Sequence, residues 1–357
     1  MVELRKKDSE RLEAETEMDE NKIGPVSIRY IDLFCGIGGF HLAADSLGWK
    51  CCFACDIDPF CQKAYQANFG ILPAGDIYKV AATDVPDHDV LLAGFPCQPF
   101  SIIGEQRGFE DMRGTLFFEI ARTLKAKRPP AFVLENVKQL ITHDHGRTFA
   151  RIQKVIRELG YSFQYKILNS MKFGLPHKRE RVLMVGFAEP IEFHFPIGTV
   201  PMLPLSALLE PHVGSEHFAS ARVQEQRRAR HPEPCSSPGI WHENKQGNVS
   251  SHPYSCALRA NASYNYLLVD GIRRLTPREM LRLQGFPDSF RVVCSNCQTR
   301  KQAGNAVSVP VIAAVLRQVG EALTPSLLLE SAGSRDLERL VGSETQFMVR
   351  DTPFPSP

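Results

Sequence analysis

Cys97 stands where a nucleophile of an α/β protein would stand. It follows the apolar run 90–94 and lies between Pro96 and Pro99. Rigid flanks fix a side chain at the carboxyl edge of a sheet, where α/β proteins bind ligands, and a thiolate there could attack a substrate. The alternative is a buried structural cysteine, which would more naturally fall inside the strand. The context therefore favours a nucleophile.

A glutamate and two arginines could join this cysteine. Glu135 ends the apolar run 131–134, so it would meet the same sheet edge and could act as an acid, although in isolation it would be a surface carboxylate. Arg179 and Arg181 fall on one face of an extended segment and could clamp a phosphate or a base carbonyl. The alternative for this pair is an ordinary basic loop. The polar stretch 98–114 contains three glycines and suits a lid over a substrate.

A glycine-rich turn and two aspartates indicate a cofactor. Gly36, Gly38 and Gly39 follow the first predicted strand and let the backbone turn sharply and approach a ligand closely. Asp56 ends the second predicted strand, where a carboxylate can accept bonds from both ribose hydroxyls, and Asp76 follows a possible third strand. We interpret this set as a site for an adenosine-containing cofactor. A tight structural turn is the alternative, and the Gly-x-Gly-Gly spacing argues against a dinucleotide.

The elements that must position these groups alternate along the first half of the chain. Apolar runs of strand length are followed by amphipathic stretches of helical length, which predicts an α/β domain with a mostly parallel sheet. The predicted strands are 28–34, 50–56, 90–94, 131–135, 165–169 and 182–187, and the predicted helices are 40–47, 59–68, 116–127 and 147–159.

The alternation breaks near residue 190 and returns near residue 273. The part between is rich in proline, has no sustained period and predicts an irregular, mainly β domain with a basic cluster at 222–230. Thr276 and Pro277 then start a helix, and a second helix covers 309–323. The predicted organisation is a charged arm at 1–26, a first domain part at 27–189, the irregular domain at 190–272, a second domain part at 273–323 and a tail at 324–357.

Composition excludes several classes of protein. The 42 basic and 40 acidic residues give a formal charge of +2, which argues against a polycation or an acidic disordered chain. The sequence shows no run of 18 apolar residues and no secretory signal, so we expect a cytoplasmic protein without a membrane span. Among ten cysteines, the pairs Cys52/Cys55 and Cys294/Cys297 could in principle bind zinc. Buried small side chains are the favoured interpretation, and we expect no metal.

The motifs resemble, in their order, those of the C5-cytosine DNA methyltransferases. The sequence is similar to small prokaryotic members, the modification enzymes of type II restriction systems, over about residues 28–322. The likeness is weakest across 190–270, the region that reads the DNA sequence in the family. The motifs that carry it are DLFCGIGGF, GDI, GFPCQPFS, GFEDMRGTLFF, ENV, HKRERV, RLTPREMLRLQGFP and QAGNAVSVP.

The resemblance implies methyl transfer from S-adenosylmethionine to C5 of a cytosine flipped out of a specific duplex DNA sequence. Cys97 would attack C6, Glu135 would bond N3, and Arg179 and Arg181 would hold the cytosine carbonyl, the backbone or the Cys97 loop. The two domain parts would form one Rossmann-like catalytic domain, and 190–272 would be the target-recognition domain.

The resemblance also assigns binding residues. Asp56 stands where the family usually has glutamate, so the shorter side chain would need a closer approach or a water bridge to the ribose. The family's glutamine before the arginine pair is His177 here, and its serine after Gly-Asn is Ala306. The expected cofactor contacts are Phe34, Gly36, Ile37, Gly38, Gly39, Asp56, Ile57, Asp76, Ile77, Pro96, Leu116, Asn305 and Val307, and the expected DNA contacts are Ser101, Gln246 and Gly247.

The expected partner is double-stranded DNA, bound by a monomer. A cognate restriction endonuclease would act on the same site without a stable complex. An RNA cytosine-5 methyltransferase on the same scaffold is the alternative, but the long 190–272 region favours DNA, because reading a groove needs a dedicated domain. The intact Cys97, Glu135 and arginine pair argue against a non-catalytic DNA-binding regulator, and the glycine spacing argues against a dehydrogenase.

Overall fold

The computed structural model describes residues 27–95, 116–235 and 237–331. Contacts between Cα atoms divide the chain into two units. The first, Ile28–Val319, contains the sheets and is described below. The second joins Met1–Ser27 to Gly320–Pro357, and the structure describes Ser27 and a helical stretch up to residue 331 in it. The finer domain boundaries expected from the sequence stay a prediction.

A six-stranded sheet forms the centre of the first unit. Its inner strands are mostly buried, as the continuous apolar runs of the sequence require, whereas its two edge strands are partly exposed. The strands of the first half of the chain are β1 (Arg29–Leu33), β2 (Lys50–Cys55), β3 (Val90–Gly94), β4 (Ala131–Val137), β5 (Gln164–Asn169), β6 (His177–Lys178) and β7 (Glu180–Phe187).

The strand order across the sheet is β2-β1-β3-β4-β7-β5. The first four strands are parallel to one another, whereas β7 runs antiparallel to both β4 and β5. The predicted α/β class with a mostly parallel sheet is therefore confirmed. Because the parallel strands end at one edge, the residues that follow them are brought together there.

Helices connect these strands along the chain and pack against the sheet. A cluster of buried side chains from the sheet, including Leu91, Phe132 and Leu134, packs with Ile120 and Ile152 of the helices. The helices of this part are α1 (Gly39–Asp45), α2 (Pro59–Phe69), α3 (Leu116–Lys127) and α4 (Arg147–Glu158). The predicted elements agree with these bounds to within about two residues at most ends.

Between residues 190 and 272, the described part of the chain contains short strands, as predicted, and one α-helix that was not predicted from the sequence. That helix is α5 (Ala221–Arg230). Strands β8 (Ile240–Glu243), β9 (Val249–His252) and β11 (Leu267–Val269) form an antiparallel sheet in the order β11-β8-β9. Strand β10 (Ser255–Cys256) pairs instead with β6, so it joins this region to the segment before the arginine pair.

Two arginines of the predicted basic cluster support the fold of this region. Arg227 is buried and donates from Nη2 to the Glu243 carboxylate over 2.5 Å and to the Asn265 carbonyl over 2.7 Å. Arg230 reaches the other oxygen of Glu243 over 2.7 Å. Burial lowers the pKa of Arg227, and its acidic partner opposes that shift. These contacts bind α5 to β8.

The C-terminal part of the first unit is helical. Helix α6 (Pro277–Leu283) begins with a capping box between Thr276 and Glu279, and α7 (Asn296–Asn305) follows. Helix α8 (Val309–Ser331) begins in this unit and continues beyond Val319. The stretch Asn296–Pro325 is long and apolar enough to cross a membrane by length and composition alone, a feature that the sequence analysis did not single out. Its inner side chains, such as those of Val311, Ile312, Val315 and Val319, are buried, as in the core helix of a folded domain.

The nine described cysteines form no disulfide with one another. Cys35 and Cys55 are buried. Burial raises the pKa of Cys35 well above its ordinary value and raises the pKa of Cys55 to about 12. A buried thiol with a raised pKa is a poor nucleophile. Across residues 27–95, 116–235 and 237–331, no group of three or more His, Cys, Asp or Glu side chains is placed to hold a metal ion.

Candidate active site

A cleft opens at the carboxyl edge of the parallel strands. Its volume is about 590 Å³, the size of a site for a small molecule. It is bordered by the residues that follow β1 and β2, by the ends of β3 and β4, and by the turn after α7. The predicted site residues that line it are Phe34, Gly36, Ile37, Gly39, Asp56, Ile57, Asp76, Ile77, Leu116, Glu135, Arg179, Arg181, Asn305 and Val307.

The turn between β1 and α1 exposes backbone to this cleft. Phe34 and Gly36 both have left-handed backbone conformations, with φ of 57° and 55°. A Cβ built on Gly36 would meet no atom within 4 Å, so the backbone there faces open space. On Gly39 it would lie 2.6 Å from Cγ2 of Val307, so the start of α1 needs a glycine to pack against that valine. Gly38, predicted as a contact, precedes α1 and is not among the lining residues.

Asp56 is held by the backbone of two segments. Its Oδ2 accepts the Gly36 amide and its Oδ1 accepts the Asp58 amide, each over 2.8 Å. Burial raises the pKa of Asp56, while these two bonds act in the opposite direction. The carboxylate thus joins the end of β2 to the glycine turn. This support places the shorter side chain beside the turn, a link that the sequence analysis did not foresee.

The next part of the cleft combines a carboxylate with apolar side chains. Asp76 accepts the Tyr78 amide through Oδ1 over 3.0 Å and borders the cleft. Ile57 is 70% exposed and Tyr78 is 50% exposed, although both line the cleft. Ile77 is buried in the core behind them. Exposed apolar walls beside a carboxylate are suited to a flat aromatic ring that carries an amino group.

Glu135 and the arginine pair meet on the opposite wall. The antiparallel pairing of β4 with β7 sets Arg181 beside Val137, and Arg181 Nε lies 3.0 Å from Glu135 Oε1. Arg179 Nη2 lies 3.9 Å from the same oxygen, and its side chain is only 2% exposed. Burial, with the neighbouring Arg181 charge, lowers the pKa of Arg179 to about 9, against the opposing effect of Glu135. One carboxylate therefore faces two guanidinium groups at the edge of the sheet.

Arg179 also joins this wall to the C-terminal segment. It donates from Nη1 to the Gly304 carbonyl over 3.2 Å and from Nη2 to the Ala306 carbonyl over 2.7 Å. Gln284, which is fully buried, donates to the Ala306 carbonyl over 3.1 Å as well. These contacts place Asn305 beside the cleft, so the end of α7 completes a site that the first domain part begins.

A buried asparagine fixes the end of β3. Asn136 follows Glu135 and donates from Nδ2 to the Phe95 carbonyl over 2.7 Å. Phe95 is the last described residue before Pro96 and Cys97. The predicted nucleophile, with Pro96 and Ser101, lies outside the described residues, and its role remains a prediction.

Two predicted DNA contacts lie away from the cleft. Gln246 and Gly247 form the turn between β8 and β9, where the Asn244 side chain accepts the Gln246 amide over 2.9 Å. Gln246 is exposed, and Gly247 has a φ of 84°. Neither residue is among those that border the cleft. Their contact with DNA stays a prediction.

Sequence reasoning missed several residues of this region. Asn136 was quoted only as part of a motif, and Tyr78 was not considered as a wall of the cleft. Gln284 also fell within a quoted motif, but its partners are separated from it by 19 and 22 residues. The one local signal for Asn136 was its position directly after a predicted catalytic carboxylate.

Comparison with known proteins decides the family. The model of the C-5 cytosine-specific DNA methylase family matches residues 28–321. The chain belongs to this family. The Type II methyltransferase M.NgoBI of Neisseria gonorrhoeae is 53% identical over 298 residues, which are 83% of this chain and 94% of that relative. The Type II methyltransferase M.HaeII of Haemophilus aegyptius is 52% identical over 287 residues, which are 80% and 90% of the two chains.

Solved structures share the fold of this DNA methylase. The Entamoeba histolytica methyltransferase EhMeth has a TM-score of 0.65 at 16% identity and covers 83% of this chain and 99% of its own. The S. pombe Dnmt2 methyltransferase has a TM-score of 0.64 at 21% identity and covers 83% and 99%. At such identities the likeness extends to the fold alone. By its family, the protein is a DNA cytosine-5 methyltransferase that uses S-adenosylmethionine.

The cleft fits this cofactor. The open backbone at Gly36 leaves room for the methionine part, where a Cβ would project into the cleft. Each Asp56 oxygen already accepts one amide and has a second lone pair for a ribose hydroxyl. Oδ1 of Asp76 accepts the Tyr78 amide, Oδ2 can accept an adenine amino group, and Ile57 and Tyr78 offer apolar walls.

Proposed function

We propose that this methyltransferase modifies C5 of a cytosine flipped out of a specific duplex DNA sequence, through a covalent bond between Cys97 and C6. One observation carries the proposal. Glu135 lies against Arg179 and Arg181 on one wall of the cleft, and Asn136 beside it holds the end of the strand that leads into Pro96 and Cys97. The arrangement supports a cationic and carboxylate-lined pocket for a cytosine ring next to the cofactor cleft.

Cys97 and Glu135 together make C5 of cytosine nucleophilic enough to accept a methyl group. C5 of cytosine is a poor nucleophile, and attack of the Cys97 thiolate on C6 makes C5 enamine-like. Glu135 in its protonated form donates a hydrogen bond to N3 and stabilises the negative charge that develops there, while Arg181 contacts Oε1 of the same side chain and Arg179 holds the C-terminal segment. Bound S-adenosylmethionine supplies an electrophilic methyl group. A base then removes the C5 proton, the C6–S bond breaks, and the thiolate leaves with that electron pair.

The substrate must enter the cleft as an extruded base. C5 and C6 of a stacked cytosine are unreachable inside a duplex, so the nucleotide has to rotate out of the helix. We assign the sequence reading to 190–272, with Ser101, Gln246 and Gly247 as contacts. Gln246 is exposed at the tip of the β8–β9 turn, where a side chain could fill the space that the flipped base leaves.

The biological role follows from the relatives. M.NgoBI and M.HaeII are Type II methyltransferases, and we infer the same role here: protection of cytoplasmic DNA from a cognate restriction endonuclease. We further infer that the enzyme acts as a monomer without a stable complex with that nuclease. The RNA alternative has only fold likeness to Dnmt2 in its favour.

The nucleophile is tested by trapping. Wild-type protein is incubated with S-adenosylmethionine and duplex DNA that contains 5-fluorocytosine, whose C5 fluorine cannot leave as a proton. We expect a complex that survives denaturing electrophoresis and is absent in Cys97→Ala. Cys235→Ala is the matched control, because Cys235 is an exposed thiol outside the cleft. A stable complex in Cys97→Ala, with circular dichroism equal to that of the wild type, would refute the assignment.

A further inference from the structure

His177 is a buried histidine with two partners far away in the sequence. Its side chain is 0% exposed. Nε2 lies 3.1 Å from the Leu258 amide, and Nδ1 lies 2.9 Å from the Leu283 carbonyl. The Leu258 N–H can only donate and the Leu283 carbonyl can only accept, so the ring must accept at Nε2 and donate from Nδ1. This pair of bonds requires the neutral ring in one tautomer.

The ring joins three parts of the molecule. His177 belongs to β6 and pairs there with Ser255, whose amide also donates to the Pro176 carbonyl over 2.8 Å. Leu258 follows β10, within the segment that we assign to DNA reading. Leu283 ends α6. The histidine is therefore the contact at which the recognition segment, the arginine segment and α6 meet.

The same contact is connected to Arg179, which borders the cleft beside Glu135. The His177 carbonyl accepts the Arg179 amide over 2.9 Å. Gln284, directly after Leu283, bonds the Ala306 carbonyl, which Arg179 also bonds through its guanidinium. A displacement of His177 would thus shift Arg179 first, because a backbone hydrogen bond joins the two residues directly. His177 is not among the residues that line the cleft.

We propose that His177 is a positioning residue that couples the DNA-reading segment to the arginine pair. It keeps Leu258 at a fixed distance from Arg179, so that a duplex bound on the recognition segment presents its flipped base to the Glu135 wall. The inference rests on the proposed function, because it assumes that the segment around Leu258 contacts DNA. The family's glutamine at this position has an amide nitrogen that donates and an amide oxygen that accepts, so it can make both kinds of bond without titrating.

Three variants separate coupling from general stability. His177→Gln retains a donor and an acceptor, and His177→Leu removes both. His88→Gln is the matched control, since His88 is also buried and its Nδ1 lies 2.8 Å from a backbone carbonyl, that of Pro86, before the opposite end of β3. For each full-length variant, KM for duplex DNA, kcat and the dissociation constant of S-adenosylmethionine are measured at pH 8.

The coupling predicts a selective effect. His177→Leu should raise KM for DNA about tenfold or more, the equivalent of one lost buried hydrogen bond, and leave the cofactor dissociation constant within about twofold. His177→Gln should restore KM for DNA to within about threefold of the wild type, and His88→Gln should change neither constant. Hydrogen exchange at the Leu258 amide should be faster in His177→Leu only.

Other outcomes overturn the proposal. Equal losses of DNA and cofactor binding in His177→Leu would show a merely structural residue, and an unchanged KM for DNA would show no coupling. If His177→Leu does not fold, His177→Asn takes its place, because asparagine is too short to reach both partners. If the wild-type protein does not methylate DNA, the proposed function itself is refuted. If the wild type is active and only the His177 variants behave differently from the prediction, the coupling alone is refuted.

Discussion

Asn136 offers the sharpest separation of a catalytic from a structural effect. It is buried, donates to the Phe95 carbonyl over 2.7 Å and accepts the Val137 amide over 2.8 Å. Asn136→Ala removes the donor of a buried carbonyl, and such a loss costs about 1–3 kcal/mol. We expect the free energy of unfolding to fall by about 2 kcal/mol.

Asn136→Ala should slow methylation by more than the loss in its free energy of unfolding explains. Phe95 precedes the proposed nucleophile Cys97 by two residues, and a small misplacement of a reacting group can lower a rate by about 100-fold. Tyr161→Phe is the control: the Tyr161 hydroxyl donates to the Pro129 carbonyl over 2.8 Å, near the opposite end of β4. It should cost similar stability and leave the rate within about twofold.

The assay measures both quantities in the same proteins. Urea denaturation gives the free energy of unfolding, and single-turnover methylation of duplex DNA at saturating S-adenosylmethionine gives the rate. At a temperature where both variants are fully folded, we expect Asn136→Ala to be about 10- to 100-fold slower than Tyr161→Phe. Equal rates in the two variants would refute the idea that Asn136 holds the strand end for catalysis.

Three further changes have defined outcomes. Arg181→Lys loses the Nε contact with Glu135, so single-turnover methylation should slow by about tenfold or more while cofactor affinity, measured by calorimetry, stays constant; an unchanged rate would contradict the role. Gly39→Ala places a Cβ 2.6 Å from Val307 Cγ2, and overpacking of about 1–3 kcal/mol should weaken S-adenosylmethionine binding in the same calorimeter. Burial, helped by the charges of Arg179 and Arg181, lowers the pKa of His177 well below 6.5. The unfolded chain therefore binds a proton below pH 6.5 that the folded chain does not, and stability falls as pH decreases. His177→Gln should lessen that fall by up to about 1.4 kcal/mol per pH unit in urea titrations between pH 8 and 5, and identical slopes would contradict this.

The parallel part of the sheet could be predicted well because β1, β3 and β4 are buried along most of their length. The predicted strand at 90–94 and the predicted helix at 116–127 coincide with β3 and α3. Continuous apolar runs between turn residues mark such strands clearly. The candidate cleft followed from the same logic, since residues placed after parallel strands meet at one edge.

Contacts between distant residues could not be predicted. Strand β7 begins at Glu180, two residues before the predicted strand, because the polar segment around Arg181 pairs across the sheet with Val137. Arg227 was interpreted only as part of a local basic cluster, whereas in the structure it is buried and paired with Glu243. His177 meets residues 81 and 106 positions away, and no local pattern records such neighbours.

Nucleoside analysis of methylated substrates tests the central claim most directly. Wild-type protein is incubated with tritium-labelled S-adenosylmethionine and either duplex DNA or transfer RNA, and each nucleic acid is digested to nucleosides and separated. We predict label in 5-methyl-2′-deoxycytidine from the duplex and none from the RNA. Label that appears only in the RNA, or on a DNA position other than cytosine C5, would contradict the account.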